Sequence, residues 1–129
     1  MSLSKKLFLA EGIQVPCVNL PAEAQLDDIH PWAASLSSAM ELVSEGKSGA
    51  FLYFVENSDQ LKSVRVELKA ARKQKIAFWI CYPRKPFFGT DLSSEKVLKL
   101  AKKVGLKGRA EEVIDDRWSC IYFSSRKTK

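Results

Sequence analysis

Two stretches of the chain are apolar from end to end: GAFLYFV, Gly49 to Val55, and IAFWICY, Ile76 to Tyr82. Neither shows the polar alternation of a half-exposed strand, so each reads as a strand buried on both faces, as in the middle of a parallel sheet. Between them, in Gln60 to Lys75, Leu61, Val64, Leu68 and Ala71 recur at helical spacing. Strand, helix and strand in that order imply a parallel pair joined by a right-handed crossover, which sets the class as α/β.

The flanking segments extend the alternation. QVPCVNLP, Gln14 to Pro21, reads as a first strand. The next stretch is polar and acidic, then carries Trp32, Leu36, Ala39, Met40 and Val43 at apolar spacing, with Pro31 where a helix can start. It reads as a loop followed by one helix or broken helical turns, with room for a short strand at its end. Gly46 and Gly49 bracket a turn, and Asn57, Ser58 and Asp59 offer caps for the helix at Gln60 to Lys75. Pro83 is expected to stop the third strand, since proline cannot donate to a ladder.

Farther on, Ser93 reads as an N-cap, and Leu92 and Val97 have the spacing of a hydrophobic staple. That helix should run to Gly105. In the tail, Trp118, Cys120 and Tyr122 alternate with Ser119, Ile121 and Phe123. This suits either an edge strand or the second arm of a hairpin whose first arm is Ala110 to Ile114, turning at Asp115-Asp116. Residues from Ser124 onward read as a solvated basic end. The expected fold is a single α/β domain over residues 1–129: a three-layer sandwich with a mainly parallel, Rossmann-like sheet and an antiparallel C-terminal edge.

The totals agree with one soluble domain. A chain of 129 residues has the usual length of one, and 46% hydrophobic with 28% charged residues excludes a disordered or fibrous class. The longest apolar run is too short to span a bilayer. Lys5 and Lys6 precede Leu7-Phe8-Leu9-Ala10, but Glu11 follows at once without a small-residue cleavage site, so no signal peptide is read and a cytoplasmic location is expected. Cys17, Cys81 and Cys120 each stand alone in apolar segments and are expected to be free, buried and reduced. His30 is the sole histidine, in a predicted loop, so neither a metal site nor a Cys-His nucleophile is indicated.

Open parallel sheets bind ligands beyond the carboxyl ends of their strands, near a switch in strand order. Three loops qualify: Asn19-Leu20-Pro21, Glu56-Asn57-Ser58-Asp59, and Arg84 to Asp91. Arg84 and Lys85 would stand at the mouth of that crevice as donors for a carboxylate or phosphate. Their alternative role is to cap strand-end carbonyls or pair with Glu56 or Asp91. Asn19, Arg84, Lys85 and Asp91 are the candidate ligand-binding residues, for an anionic small molecule or a protein partner. Phe87-Phe88 reads either as a stacking platform for bases or as a lid on the protein's own core.

Charge is unevenly distributed. Residues 1–60 hold three Lys/Arg and eight Asp/Glu, whereas residues 61–129 hold eighteen and seven. Part of the excess is a stripe along one predicted helix: Lys62, Arg65, Lys69, Arg72 and Lys73 fall within an arc of about 100°. Such a stripe is either a solvated outer face or a nucleic-acid surface, to which the tail at Arg126 to Lys129 would add.

Several chemistries are missing from the sequence. Val18-Asn19-Leu20-Pro21 stands where a phosphate-binding G-x-G-x-x-G would follow the first strand. No Walker lysine, G-x-S-x-G elbow or H-E-x-x-H is present, and Asp115-Asp116 reads as a turn former rather than an acid-base pair. No catalytic residue and no cofactor is therefore assigned, and no membrane partner.

Trp79-Ile80-Cys81-Tyr82-Pro83-Arg84-Lys85, Thr90-Asp91-Leu92 and Asp115-Asp116-Arg117-Trp118-Ser119 resemble an uncharacterised bacterial family, a domain of unknown function. Its pattern runs L-W-x-x-[WY]-P-K-K, T-D-L and D-x-x-W-S. Lys6-Leu7, Gly12 and Val15 to Pro21 also resemble its opening L-G-x-x-x-G-x-x-V-x-V-x-N-x-P. Arg84 replaces the first lysine, and Phe87-Phe88 fills a loop that is glycine-bearing in that family. The layout is similar to the later half of a class I methyltransferase. The resemblance implies a degenerate, non-catalytic relative, because the glycine-rich loop for S-adenosylmethionine is absent.

Overall fold

The computed structural model describes residues 3–9, 14–22, 26, 28–84 and 90–123. In chain order the elements are α1 (Leu3–Lys6), β1 (Gln14–Val18), β2 (His30–Ala34), α2 (Leu36–Ser44), β3 (Phe51–Phe54), α3 (Ser58–Ser63), α4 (Arg65–Lys73), β4 (Phe78–Pro83), α5 (Ser94–Lys102), β5 (Gly108–Val113) and β6 (Trp118–Phe123). They form an α/β protein on one six-stranded sheet of order β2-β1-β3-β4-β6-β5. Pairing is parallel through β2, β1, β3 and β4, and β6 runs antiparallel to both its neighbours. The sheet is therefore mixed.

The two apolar runs become neighbouring inner strands, with Phe51 opposite Phe78 and Phe54 opposite Cys81. Each strand sends alternate residues into two cores. Phe51, Tyr53, Phe78, Ile80, Ile121 and Phe123 pack with apolar residues of α2 to α5 on one side. Leu52, Phe54, Trp79, Cys81, Trp118 and Cys120 pack on the other, against Leu3, Leu7 and Leu9 of the N-terminal segment and against Leu26 and Ile29. Burial on both faces is why these strands carry no polar alternation. The first core holds a file of rings across three strands: Phe78 stacks on Phe51 at 5.3 Å and on Phe123 at 5.6 Å. In the second, the Trp79 indole N–H donates to the Leu7 carbonyl at 3.1 Å and ties the N-terminal segment to the sheet.

Three expectations need correction. His30 to Ala34 is not a helix start but the edge strand β2, in parallel register with Gln14 to Val18. Its residues are mostly exposed and carry no strand-like apolar pattern, and Pro31 is tolerated because an edge strand has one unpaired side. The segment after Asn57 is two helices rather than one. Val64 leaves helical geometry at φ −112 and ψ 8, and Ser63 Oγ bonds back to the Gln60 carbonyl at 2.7 Å. This local side-chain bond competes with the helical ladder.

Strand β4 begins at Phe78, later than expected, and includes Pro83 as its last residue. The Val55 N–H donates to the Cys81 carbonyl at 2.9 Å, so the β3-facing edge of β4 carries residues 81 and 83. The parallel pairing with β3 ends at Phe54 and Cys81, so Pro83 lies beyond it and removes none of its ladder bonds. Of the two readings of the tail, the hairpin holds: Trp118 to Phe123 is its second arm, inside the sheet between β4 and β5, and β5 takes the edge.

Candidate functional site

Arg84 follows β4 directly, and its amide donates to the carbonyl of Arg117 at 2.7 Å. The two residues form the next pair beyond Pro83 and Trp118 in the β4–β6 ladder. That bond also sets the phase of the ladder: Arg84–Arg117 is a hydrogen-bonded pair and Pro83–Trp118 is not, which again suits a proline. Residues directly opposite each other project to the same side of a sheet. By the same parity, Arg84 and Arg117 share the helix-covered side with Tyr82 and Ser119. Both arginines are exposed.

Why Arg117 stands there follows from the turn before it. Asp115 Oδ1 accepts the N–H groups of Arg117 at 2.8 Å and Trp118 at 2.9 Å, a local turn in which a carboxylate replaces a backbone acceptor. The chain then enters β6 with Trp118 fully buried. The turn is fixed from one side by the carboxylate and from the other by the indole.

Helix α5 begins beside this pair. Ser93 Oγ accepts the Lys96 N–H at 3.3 Å, and Leu92 and Val97 are both buried as a staple. The Tyr82 phenol lies where Ser94, Arg84 and Glu111 all act on it. Burial first, and then the negative charge of Glu111, push its pKa up to about 12, against the opposite pull of Ser94 and Arg84. Tyr82 is thus a neutral hydroxyl at the foot of the arginine pair. A cleft of about 270 Å³ adjoins it, lined by Lys6, Tyr82, Glu111, Glu112, Val113 and Ser119. Its carboxylates keep that wall unfavourable for an anion, so the positive side of the site is the arginine side.

Asp91 is already engaged. Its carboxylate accepts from Ser58 N at 2.9 Å and Ser58 Oγ at 2.5 Å, and it pairs with Lys96 Nζ at 3.0 Å. The Ser58 hydroxyl and amide, then Lys96, hold it well below the usual carboxylate range. Asp91 therefore clamps the first turn of α3, capped by Asn57 Oδ1 on Gln60 N at 2.9 Å, to the first turn of α5. It supplies the negative charge that a helix start favours and acts as a positioning group.

Asn19 takes the left-handed conformation at φ 58, and its Nδ2 donates to the Phe54 carbonyl at 3.4 Å. It bridges the ends of β1 and β3, beside the Tyr53 hydroxyl. Strand β3 separates it from β4, a lateral distance of about 10 Å at the usual strand spacing. The structure thus brings Arg84 and Asp91 to the start of α5 and leaves Asn19 across the sheet. Lys85, Phe87 and Phe88 lie outside the described residues, as does the tail at Arg126 to Lys129.

Among the described residues Arg84 forms no ion pair, so it is not neutralised by Glu56 or Asp91. Sequence reasoning missed Arg117, Tyr82 and Ser94. The D-x-x-W-S stretch held the signal for Arg117, but only the ladder register reveals which residue it faces. Along the other candidate surface, Lys62, Lys69, Arg72 and Lys73 are exposed and Arg65 is half-buried. The three thiols are buried and free, and no helix among the described residues is long and apolar enough to cross a membrane.

No family model matches the chain, and no curated protein matches it.

Proposed function

We propose that the protein is a non-enzymatic binding module that takes a small anionic ligand, a phosphate or carboxylate, at the carboxyl edge of its sheet. The observation that carries the reading is the Arg84–Arg117 pair, set side by side by a 2.7 Å backbone bond. Two cations placed directly opposite each other in a ladder concentrate positive charge at one point of the sheet's edge, which attracts an anion. Two guanidinium forks also match the geometry of phosphate or carboxylate oxygens. Ser94 and the start of α5 lie alongside, and the neutral Tyr82 hydroxyl can donate to the same ligand.

The finer description of the fold belongs to this proposal. A three-layer, Rossmann-like layout is supported by the reversal of strand order between β1, β2 and β3 and by a core on each side of the sheet. The insertion of β6 antiparallel between β4 and β5 favours kinship with a degenerate methyltransferase-like layout. Kinship with the motif-sharing bacterial family and a cytoplasmic location complete the proposal.

Calorimetric titration with inorganic pyrophosphate tests it. Arg84→Ala removes one charge-assisted fork and should weaken binding at least about tenfold, while thermal unfolding stays cooperative. Equal affinity in the variant removes Arg84 from the site.

A further inference from the structure

We propose that the outer face of α4 and α5 is a docking surface for the phosphate backbone of duplex DNA. At 100° per residue, Arg65, Lys69, Arg72 and Lys73 occupy one flank of α4. Leu68 and Ala71 turn into the core. Glu67 lies on the opposite flank, close enough to Tyr53 to disfavour its ionisation.

The direction of the basic flank is fixed by Arg72. Its guanidinium carbon lies 3.5 Å from where a side chain on Gly105 would begin, over the C-terminal turn of α5. The basic side of α4 therefore faces α5. On α5, Leu98 reaches toward β5, 2.5 Å from the equivalent point on Gly108. That flank points away from α4, and helical spacing puts Lys99 on the crest and Lys103 on the side facing α4.

The two helices thus present cations on the sides that face each other and on the crest of α5. The ion pairs Lys47–Glu45 and Lys96–Asp91 involve none of Arg65, Lys69, Arg72, Lys99 or Lys103. Unpaired positive charge in two rows matches a partner with two rows of negative charge. Long side chains on each helix extend outward, and the phosphate rows they would meet border a minor groove about 6 Å wide. The exposed hydrophobic residue of these helices is Val66, and no exposed aromatic stands with it. The face lacks a stacking platform for unpaired bases, which favours a duplex over a single strand. Contacts to phosphate alone make the binding independent of sequence.

Fluorescence anisotropy with a short random-sequence DNA duplex over a salt series tests the surface, independently of the arginine-pair site. Five phosphate contacts give log K against log salt a slope of about −4.5. The double variant Lys69→Glu/Lys103→Glu should lose at least about tenfold in affinity at low salt and flatten the slope by about 2. The single neutral variants Lys69→Gln and Lys103→Gln should each flatten it by about 1. Lys47→Glu, at a residue that pairs with Glu45 away from these helices, should bind as the parent does. A flat salt dependence, an equal loss in Lys47→Glu, or tighter binding to an RNA duplex or to anionic lipid vesicles would overturn the assignment.

Discussion

The amide of Arg84 and the carbonyl of Arg117 are joined at 2.7 Å, although the two residues enter the structure from different strands. Arg84 is delivered by the apolar strand β4, and Arg117 by the tight turn that Asp115 closes. The relationship extends the antiparallel ladder one pair beyond Pro83 and Trp118. Its consequence is a concentration of positive charge at the end of the sheet where ligands of open α/β proteins bind.

Asp91 gives the protein an acid-sensitive clamp. Its folded pKa is depressed from an ordinary value near 3.9. Its stabilising contribution is therefore complete above about pH 4 and is lost as pH falls through the folded value. Asp91→Asn should be less stable than the parent at neutral pH, and the gap should narrow on acidification below about pH 4. Chemical denaturation at a series of pH values measures this. A gap that widens on acidification contradicts the clamp.

Phe78 lies between Phe51 and Phe123 in a core where all three rings are buried. Phe78→Ala leaves a cavity bounded by inner strands that have little freedom to close it. The loss of unfolding free energy should be about 3–5 kcal/mol. A loss below about 1 kcal/mol, within the range of surface substitutions, would mean that the ring file is not part of the packed core.

The thiols should be silent in the native state. Burial pushes Cys17 up to about 12 and raises Cys81 well above its ordinary value, with Cys120 beside it in the ladder. Thiolate is the reactive form, so a disulfide reagent near pH 8 should label the native protein only at the rate at which it opens. In concentrated guanidinium chloride all three cysteines should react promptly. Prompt labelling of the native protein would place a thiol at the surface.

Much of this architecture is legible in the residues. The runs at Gly49 to Val55 and Ile76 to Tyr82 identify inner strands because burial on both faces leaves no room for polar positions. Ser93 with Leu92 and Val97 marks the start of α5 because capping and stapling are local. Strand β2 is not legible: an exposed edge strand is held by backbone pairing and needs no apolar pattern, so Pro31 and Trp32 read as the start of a helix that begins only at Leu36. The break at Val64 is hidden because the apolar period continues through it. The candidate site was half legible. Arg84 follows a recognisable strand, but Arg117 faces it only through ladder phase, which single residues do not encode. Asp91 reads as a loop carboxylate until its bonds to Ser58 and Lys96 show it engaged.

The proposed role of the Arg84–Arg117 pair is to receive an anion. Amide NMR during titration with inorganic pyrophosphate tests it most directly. Saturable shifts are expected at Arg84, Ser94, Lys96 and Arg117, abolished in Arg84→Ala with the rest of the spectrum preserved. Shifts confined to α4 and the crest of α5, or saturable shifts that persist unchanged in Arg84→Ala, would contradict it.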